Sequence, residues 1–485
     1  MRALVFAVLV VAGFAGPVGA EPRWTTSGGF SSRLFYTDNL FLSPRNEQSE
    51  AILQLTPFLS ADRRGARASA RVRYGPSIRL YADESSLNGV DHVLQANGDV
   101  EIVKNIFFLR GSATANQALI NPGRRAAFDT LTDPDASTQF LTLNLTPSLR
   151  FPLGTGRYAQ MSVDTGFSYV FTEDTADGRE DQGVRSRQVS ARVQSGPYFT
   201  RMPWSIGYRN DIFNTDDNDS FGRWDGRVSY RFSPRYLGYL NLSYAEGDYA
   251  STRDNSGVGW QVGFTWTPTP RTSLTAGYGQ AFFGDDSFLD LRHRHKRTAW
   301  QARYSVSVQD FRQSLLEQEV IPLEDDLGNP ILNPFTGEAL TVIQNTPVLV
   351  DQVFVRQRFT TSVSTDWART RARLQLDVAW DEYQQGDNPE TTSSQLVFDL
   401  NRRLTPKTSG NLQLRYWDWR RDARDGDLFN TSDFDQYRVS IGLSHRLGQR
   451  TSVGLNLERT ERNGDTDLNS YDENRVSAFL SMQLR

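Results

Sequence analysis

Along most of the chain every second residue is apolar, aromatic or glycine, and the residues between are polar or charged. The pattern is plainest over 224–244. Trp224, Gly226, Val228, Tyr230 and Phe232 alternate with Asp225, Arg227, Ser229 and Arg231. Tyr236, Gly238, Leu240, Leu242 and Tyr244 then alternate with polar residues such as Asn241 and Ser243. Successive side chains of a strand point to opposite faces, so this period predicts two strands, each with one apolar and one wet face. Ser233, Pro234 and Arg235 read as the turn between them, because proline cannot continue a ladder but presets φ for a turn. The unit recurs: Tyr244, Tyr278 and Tyr416 each lie ten residues after a proline, on one parity. Ten residues span roughly 33 Å of strand. Tilted by about 40°, they climb about 25 Å, the height of the apolar band of an outer-membrane barrel.

The same alternation predicts strands over 28–36, 51–61, 66–81, 91–103, 106–117, 138–151, 157–172, 186–199, 202–213, 221–232, 236–249, 256–268, 271–283 and 297–310. It continues over 352–364, 370–383, 393–404, 409–420, 434–446, 450–462 and 472–485. Short turns alternate with longer polar loops such as 37–49, 118–137, 173–185 and 284–296. The alternation slips by one phase across 311–351. An extra strand over 312–322, followed by a loop over 323–351, restores it and gives an even total of about 22, within a range of 20–24. The expected fold class is all-β: a transmembrane up-and-down antiparallel β-barrel, its short turns and both termini in the periplasm.

Composition fits that fold. The mean hydropathy of the 485 residues is -0.52, and no stretch has the ~18 apolar residues of a transmembrane helix. A barrel needs only the lipid-facing half of each strand to be apolar. Residues 1–20 read as a secretory signal peptide: Arg2 is the positive n-region, 4–14 the apolar core, and Val18, Gly19 and Ala20 the small-residue cleavage site. Residues 21–485 then form the barrel, with no plug domain expected, since the first strand follows almost at once. The absence of cysteine suits an oxidising compartment and removes thiolate metal sites. A net charge of -4 argues against nucleic acid as a partner. These features point to the outer membrane of a Gram-negative bacterium, with membrane lipid and lipopolysaccharide as partners.

Candidate chemistry lies on the inward parity. It holds Arg67, Arg71, Arg73, Arg79, Arg227, Arg231, Arg356, Arg358, Arg371 and Arg373, among other arginines. Asp99, Glu101, Asp164, Asp225, Asp377 and Asp399 share that face. Guanidinium forks bind carboxylate, phosphate or sulfate, so the arginines read either as a track for an anion or as a ladder of cross-strand ion pairs. Arg124, Arg125 and Asp129, in the loop over 118–137, are candidates for a gate folded into the lumen. Most aromatics, including Trp224, Trp260, Tyr278 and Trp300, fall on the outward parity and read as girdle anchors; Tyr198 and Trp417 are inward exceptions. The four histidines include His293 and His295 in an expected outer loop, and offer no metal or catalytic constellation. No cofactor and no enzyme activity are expected.

Several short stretches carry a resemblance: Tyr36, Thr37, Asp38, Asn39, Leu40 and Phe41 after the first strand; Leu55, Thr56 and Pro57; Arg73, Tyr74, Gly75 and Pro76; and the repeated Thr/Ser-Pro turns. In these the chain resembles the outer-membrane barrels encoded beside exopolysaccharide and PEP-CTERM (exosortase) systems. The resemblance implies a channel or accessory conduit for exopolysaccharide export, with anionic polysaccharide and export-system proteins as partners. It supplies no catalytic residues. The alternatives are a general diffusion porin, or a structural barrel whose lumen is closed by ion pairs.

Overall fold

A computed structural model describes residues 24–119, 131–132, 137–172, 184–214, 220–248, 255–309, 319–322, 341–344, 354–383, 390–421 and 433–484. One sheet of 23 strands holds the molecule together; a two-residue spur, Gly284–Asp285, pairs only with one neighbour, which leaves 22 staves. In chain order they are β1 (Trp24–Thr37), β2 (Glu50–Arg64), β3 (Ala68–Tyr81), β4 (Gly89–Val103), β5 (Phe107–Leu119), β6 (Ser137–Leu153), β7 (Ala159–Thr172), β8 (Val184–Ser195), β9 (Trp204–Asn214), β10 (Ser220–Ser233) and β11 (Tyr236–Asp248). Then come β12 (Ser256–Thr269), β13 (Thr272–Ala281), β14 (Phe288–His295), β15 (Thr298–Gln309), β16 (Phe354–Asp366), β17 (Thr370–Tyr383), β18 (Thr391–Arg403), β19 (Thr408–Arg421), β20 (Phe434–Arg446), β21 (Thr451–Gly464) and β22 (Tyr471–Leu484). Each stave pairs antiparallel with its sequence neighbours. The ring closes where β1 meets β22, Gly28 opposite Leu484 and Thr37 opposite Arg475. Among the described residues there is no α-helix, and closure leaves no unpaired sheet edge.

The total of 22 agrees with the periodicity, but one stave differs. Of the segment expected as a strand over 312–322 the described residues are Glu319–Pro322, and these pair with Thr341–Gln344 in a separate two-stranded sheet rather than with a stave; 312–318 lie outside the described residues. The missing stave is β14, inside the stretch expected as the loop 284–296. It was hidden because its outward face is only half apolar, Leu289 and Leu291 being followed by His293 and His295. Pairing decides it: Asp290 stands opposite Thr275 on β13 and Arg303 on β15. His293 and His295 therefore sit at the end of a strand beside a short turn, not in an outer loop.

Cross-strand partners share a face, so parity passes from stave to stave around the ring. The outward set is apolar and exposed: Leu59, Phe167, Trp224, Val228, Leu242, Trp260, Val262, Tyr278, Trp300, Leu374, Ile441 and Leu457 all project there. So large an exposed apolar belt is stable only against hydrocarbon. Twenty-two strands about 4.8 Å apart and tilted about 40° close at a radius of roughly 22 Å. Side chains from opposite walls then do not meet, so the wall alone cannot fill the lumen.

The inner face is polar with a few large side chains laid flat. Tyr239 on β11 lies across Gly263 and Gly277 on the next two staves. A Cβ at Gly263 would stand 2.2 Å from the tyrosine oxygen, and one at Gly277 2.6 Å from it. Glycine is required at both places to let the ring approach the wall.

Candidate functional site

The inner wall is where the candidate arginines fall. All ten lie on staves or turns whose parity faces the lumen. Half are held by carboxylates on the same or the adjacent stave. Arg71 Nε reaches Asp62 Oδ1 at 2.7 Å and Arg79 Nε reaches Asp91 Oδ2 at 2.7 Å. Arg356 grips both oxygens of Asp381 at 2.6 Å, Arg358 Nη2 reaches Asp377 at 3.0 Å, and Arg371 Nε reaches Asp366 at 2.6 Å. Asp62 and Arg71 are directly opposite one another, as are Arg356 and Asp381. Opposite charges at facing positions attract, and a bidentate fork adds a fixed geometry. Arg73 and Arg227 instead stack on Phe58 and Tyr239, at 4.8 and 4.3 Å from the ring centroids. Arg373 donates to Gln375 at 2.6 Å and Arg231 to the Thr200 carbonyl at 3.3 Å, while Arg67 is exposed in a short turn. Much of the predicted track is thus a cross-strand ladder, in which an incoming anion competes with a resident carboxylate.

The gate candidates Arg124, Arg125 and Asp129 lie outside the described residues. Between β5 and β6 two residues, Leu131 and Thr132, are described, and both are buried. Leu131 packs with Leu40 against Phe35, Ile52 and Tyr81, three inward-facing side chains, and the Tyr81 hydroxyl donates to its carbonyl at 3.0 Å. The segment 38–49 contributes Leu40 and Leu42, neither with any exposed surface, the latter against Tyr471 of β22. Hydrogen bonds pin this segment across the closure seam: Thr37 Oγ1 to Glu473 at 2.8 Å, Asn39 Nδ2 to the Asp472 carbonyl at 2.9 Å, and the Asn474 N–H to Asp38 at 2.7 Å. At the long-loop mouth the lumen therefore holds a small apolar core made by the chain's own loops.

Beneath that core lies a cluster that the periodicity did not single out. Glu458 on β21 is buried between Arg438 of β20 and Arg475 of β22; Arg475 Nη2 lies 2.5 Å from it, and Glu473 stands 4.0 Å from Arg475. Beside it, Arg462 lies 3.6 Å over the Phe434 ring, which packs on Trp417 and Trp419. Gln436 donates to the Tyr471 hydroxyl at 2.8 Å. The available signal was that Trp417 and Trp419 share parity with Arg415 rather than with the outward Tyr416. Tyr198, expected as a second inward aromatic, instead lies in the turn after β8, tilted against Tyr158 with centroids 5.1 Å apart.

Three of the four histidines are hydrogen-bonded to neighbouring hydroxyls. His92 Nδ1 pairs with the Tyr74 hydroxyl, His293 with Thr272 and His445 with Thr408, at 2.8 to 2.9 Å. Among the described residues no group of three or more His, Asp or Glu side chains converges as a metal site would need.

No protein-family model and no curated protein sequence matches the chain. Solved structures do match in fold. The siderophore receptor PirA from Acinetobacter baumannii superposes with a TM-score of 0.51 at 9% identity, covering 96% of this chain and 81% of the receptor. The FrpB iron transporter from Neisseria meningitidis (F5-1 variant) superposes with a TM-score of 0.51 at 8% identity, covering 96% of this chain and 83% of the transporter. The likeness is one of architecture: this chain has a large closed antiparallel barrel like theirs.

Proposed function

We propose that the chain is an outer-membrane conduit, or accessory channel, for an anionic exopolysaccharide, with its short turns and termini in the periplasm. The carrying observation is an inner wall rich in arginine that stays open to water over much of the ring. Arg110, Arg192, Arg227 and Arg303 project inward and are exposed, while among the described residues the apolar core of folded-in loops lies in the sector near β1 to β3 and β22. Exported polymer and export-system proteins are the partners this reading requires, in a membrane of phospholipid and lipopolysaccharide. A second reading, a structural barrel with a closed lumen, is favoured by the ion-pair ladder and by the segment 38–49, which buries Asn39, Leu40 and Leu42. Single-channel conductance of the refolded protein separates the two. A steady current that polygalacturonate blocks supports the conduit. Current indifferent to the polymer points to a general diffusion pore, and silence from a folded barrel supports the closed wall.

A further inference from the structure

The two rims of the barrel differ in charge. Each of the ten short turns (65–67, 104–106, 154–158, 196–203, 234–235, 270–271, 296–297, 367–369, 404–407 and 447–450) holds at least one arginine or lysine, and none holds an aspartate or glutamate. All three lysines of the chain, Lys104, Lys296 and Lys407, are in these turns. The opposite rim is acidic. Among the described residues of its connections, Asp83, Glu84, Asp285, Asp286, Asp433 and Asp465 stand against one base, Arg45, which is paired with Asp467 at 2.6 Å.

The basic residues of the short-turn rim also share a position. In seven of the ten turns the residue just before the following strand is basic: Arg67, Arg235, Arg271, Arg297, Arg369, Lys407 and Arg450. Each of these accepts a backbone N–H from the facing stave at 2.7 to 2.9 Å, so each continues the pleat with inward parity. All seven are exposed. In three places the facing residue is itself an arginine: Arg294 opposite Arg271, Arg403 opposite Arg369, and Arg446 opposite Lys407. Like charges at directly opposite positions repel, which a sequence optimised only for the fold would avoid. None of these six cations has a carboxylate within ion-pair distance among the described residues. The ladder deeper in the wall is neutralised from within; these six cations at the mouth are not, whereas Arg67 and Arg297 stand opposite Glu101 and Asp366.

We propose that this collar captures an extended polyanion, a chain bearing repeated carboxylate groups, as it enters the lumen from the short-turn side. The inward parity favours a ligand on the barrel axis over the headgroups of surrounding lipid. A predominantly basic ring at a low-dielectric mouth concentrates counter-ions and raises their capture rate. The acidic opposite rim disfavours capture there, so the barrel is polarised for one direction of loading. The proposal takes the class of cargo from the conduit reading but does not require that the polymer pass through.

The test uses the full barrel in detergent micelles and fluorescein-labelled polygalacturonate, with neutral dextran of matched length as control. The variant is Arg294→Gln/Arg403→Gln/Arg446→Gln, which leaves a well-folded barrel because it removes repulsion. Expected results are binding of polygalacturonate but not dextran, steep weakening with salt, and a loss of affinity on the order of tenfold in the variant. The variant should also unfold at higher denaturant than the wild type, an opposite sign that a merely structural role would not produce. Equal affinity in wild type and variant overturns the proposal. So does a variant that keeps polymer affinity while losing affinity for phosphatidylglycerol vesicles, which assigns the collar to lipid headgroups. Collar-dependent binding by a non-conducting barrel upholds the collar and refutes the conduit; conduction with collar-independent binding does the reverse.

Discussion

Replacing Glu458 by glutamine removes the charge at the centre of the buried Arg438–Glu458–Arg475 cluster and leaves its shape. Taking one partner from a buried ion pair costs about 3–5 kcal/mol, because the remaining charge stays desolvated. Here the value belongs at the low end. Arg475 keeps Glu473 at 4.0 Å, and the glutamine oxygen still accepts one of the two guanidinium hydrogen bonds. A loss of about 3 kcal/mol corresponds to a drop of roughly 1 M in the urea midpoint of a protein with a slope near 3 kcal/mol/M. The ten tryptophans, two of them beside the cluster, report unfolding in micelles. Arg438→Gln and the double variant complete a cycle, which isolates the pair from its surroundings. Coupling of at least about 1 kcal/mol is expected. An unchanged midpoint for Glu458→Gln, or strictly additive single variants, would refute the view that this cluster clamps β20, β21 and β22 next to the seam.

Three further outcomes follow from local geometry. Glu50 accepts N–H bonds from Ala51, Ala82 and Asp83 on one oxygen and from Glu84 on the other, so Glu50→Ala should speed amide exchange across 82–88 while the deeper part of β3 stays protected; unchanged exchange at Asp83 and Glu84 would contradict that role. Gly263→Val places a Cβ against both the Tyr239 oxygen and the Ala276 backbone carbonyl and should lower stability by about 1–3 kcal/mol, only part of which Tyr239→Ala restores, since the carbonyl clash remains; the same urea titration checks it, and full restoration would contradict the backbone contact. Burial raises the Asp286 carboxyl above the usual carboxylate range, with Arg223 opposing it. The folded state then binds more protons than the unfolded one above about pH 4, so stability falls as pH rises through that window. Asp286→Asn should flatten this slope, and an identical pH profile would count against it.

The alternation of residues determined the fold class on its own, because a strand shows each face every second residue and hydrocarbon tolerates only one kind of face. It also determined which arginines look inward: Arg71, Arg79, Arg356 and Arg358 could be assigned by parity with no knowledge of their partners. Parity says nothing about which stave stands opposite, so the pairing of Arg71 with Asp62, or of Arg356 with Asp381, needed the register. The same gap hid β14, whose outward face is too weakly apolar to declare itself until β13 and β15 flank it. Burial of Glu458, Arg462 and Arg475 was still further from view. Charged residues on an inward parity read as wet; the closing of Arg438 and Arg475 on Glu458, and the packing of Arg462 on Phe434 beside Trp417 and Trp419, arise only when the staves stand side by side. The collar was half visible, since the basic turns are plain in the chain. Their common inward parity, and the facing of Arg271 by Arg294 or Arg369 by Arg403, exist only once strands distant in rise and direction are brought side by side, where repulsion depends on distance through space.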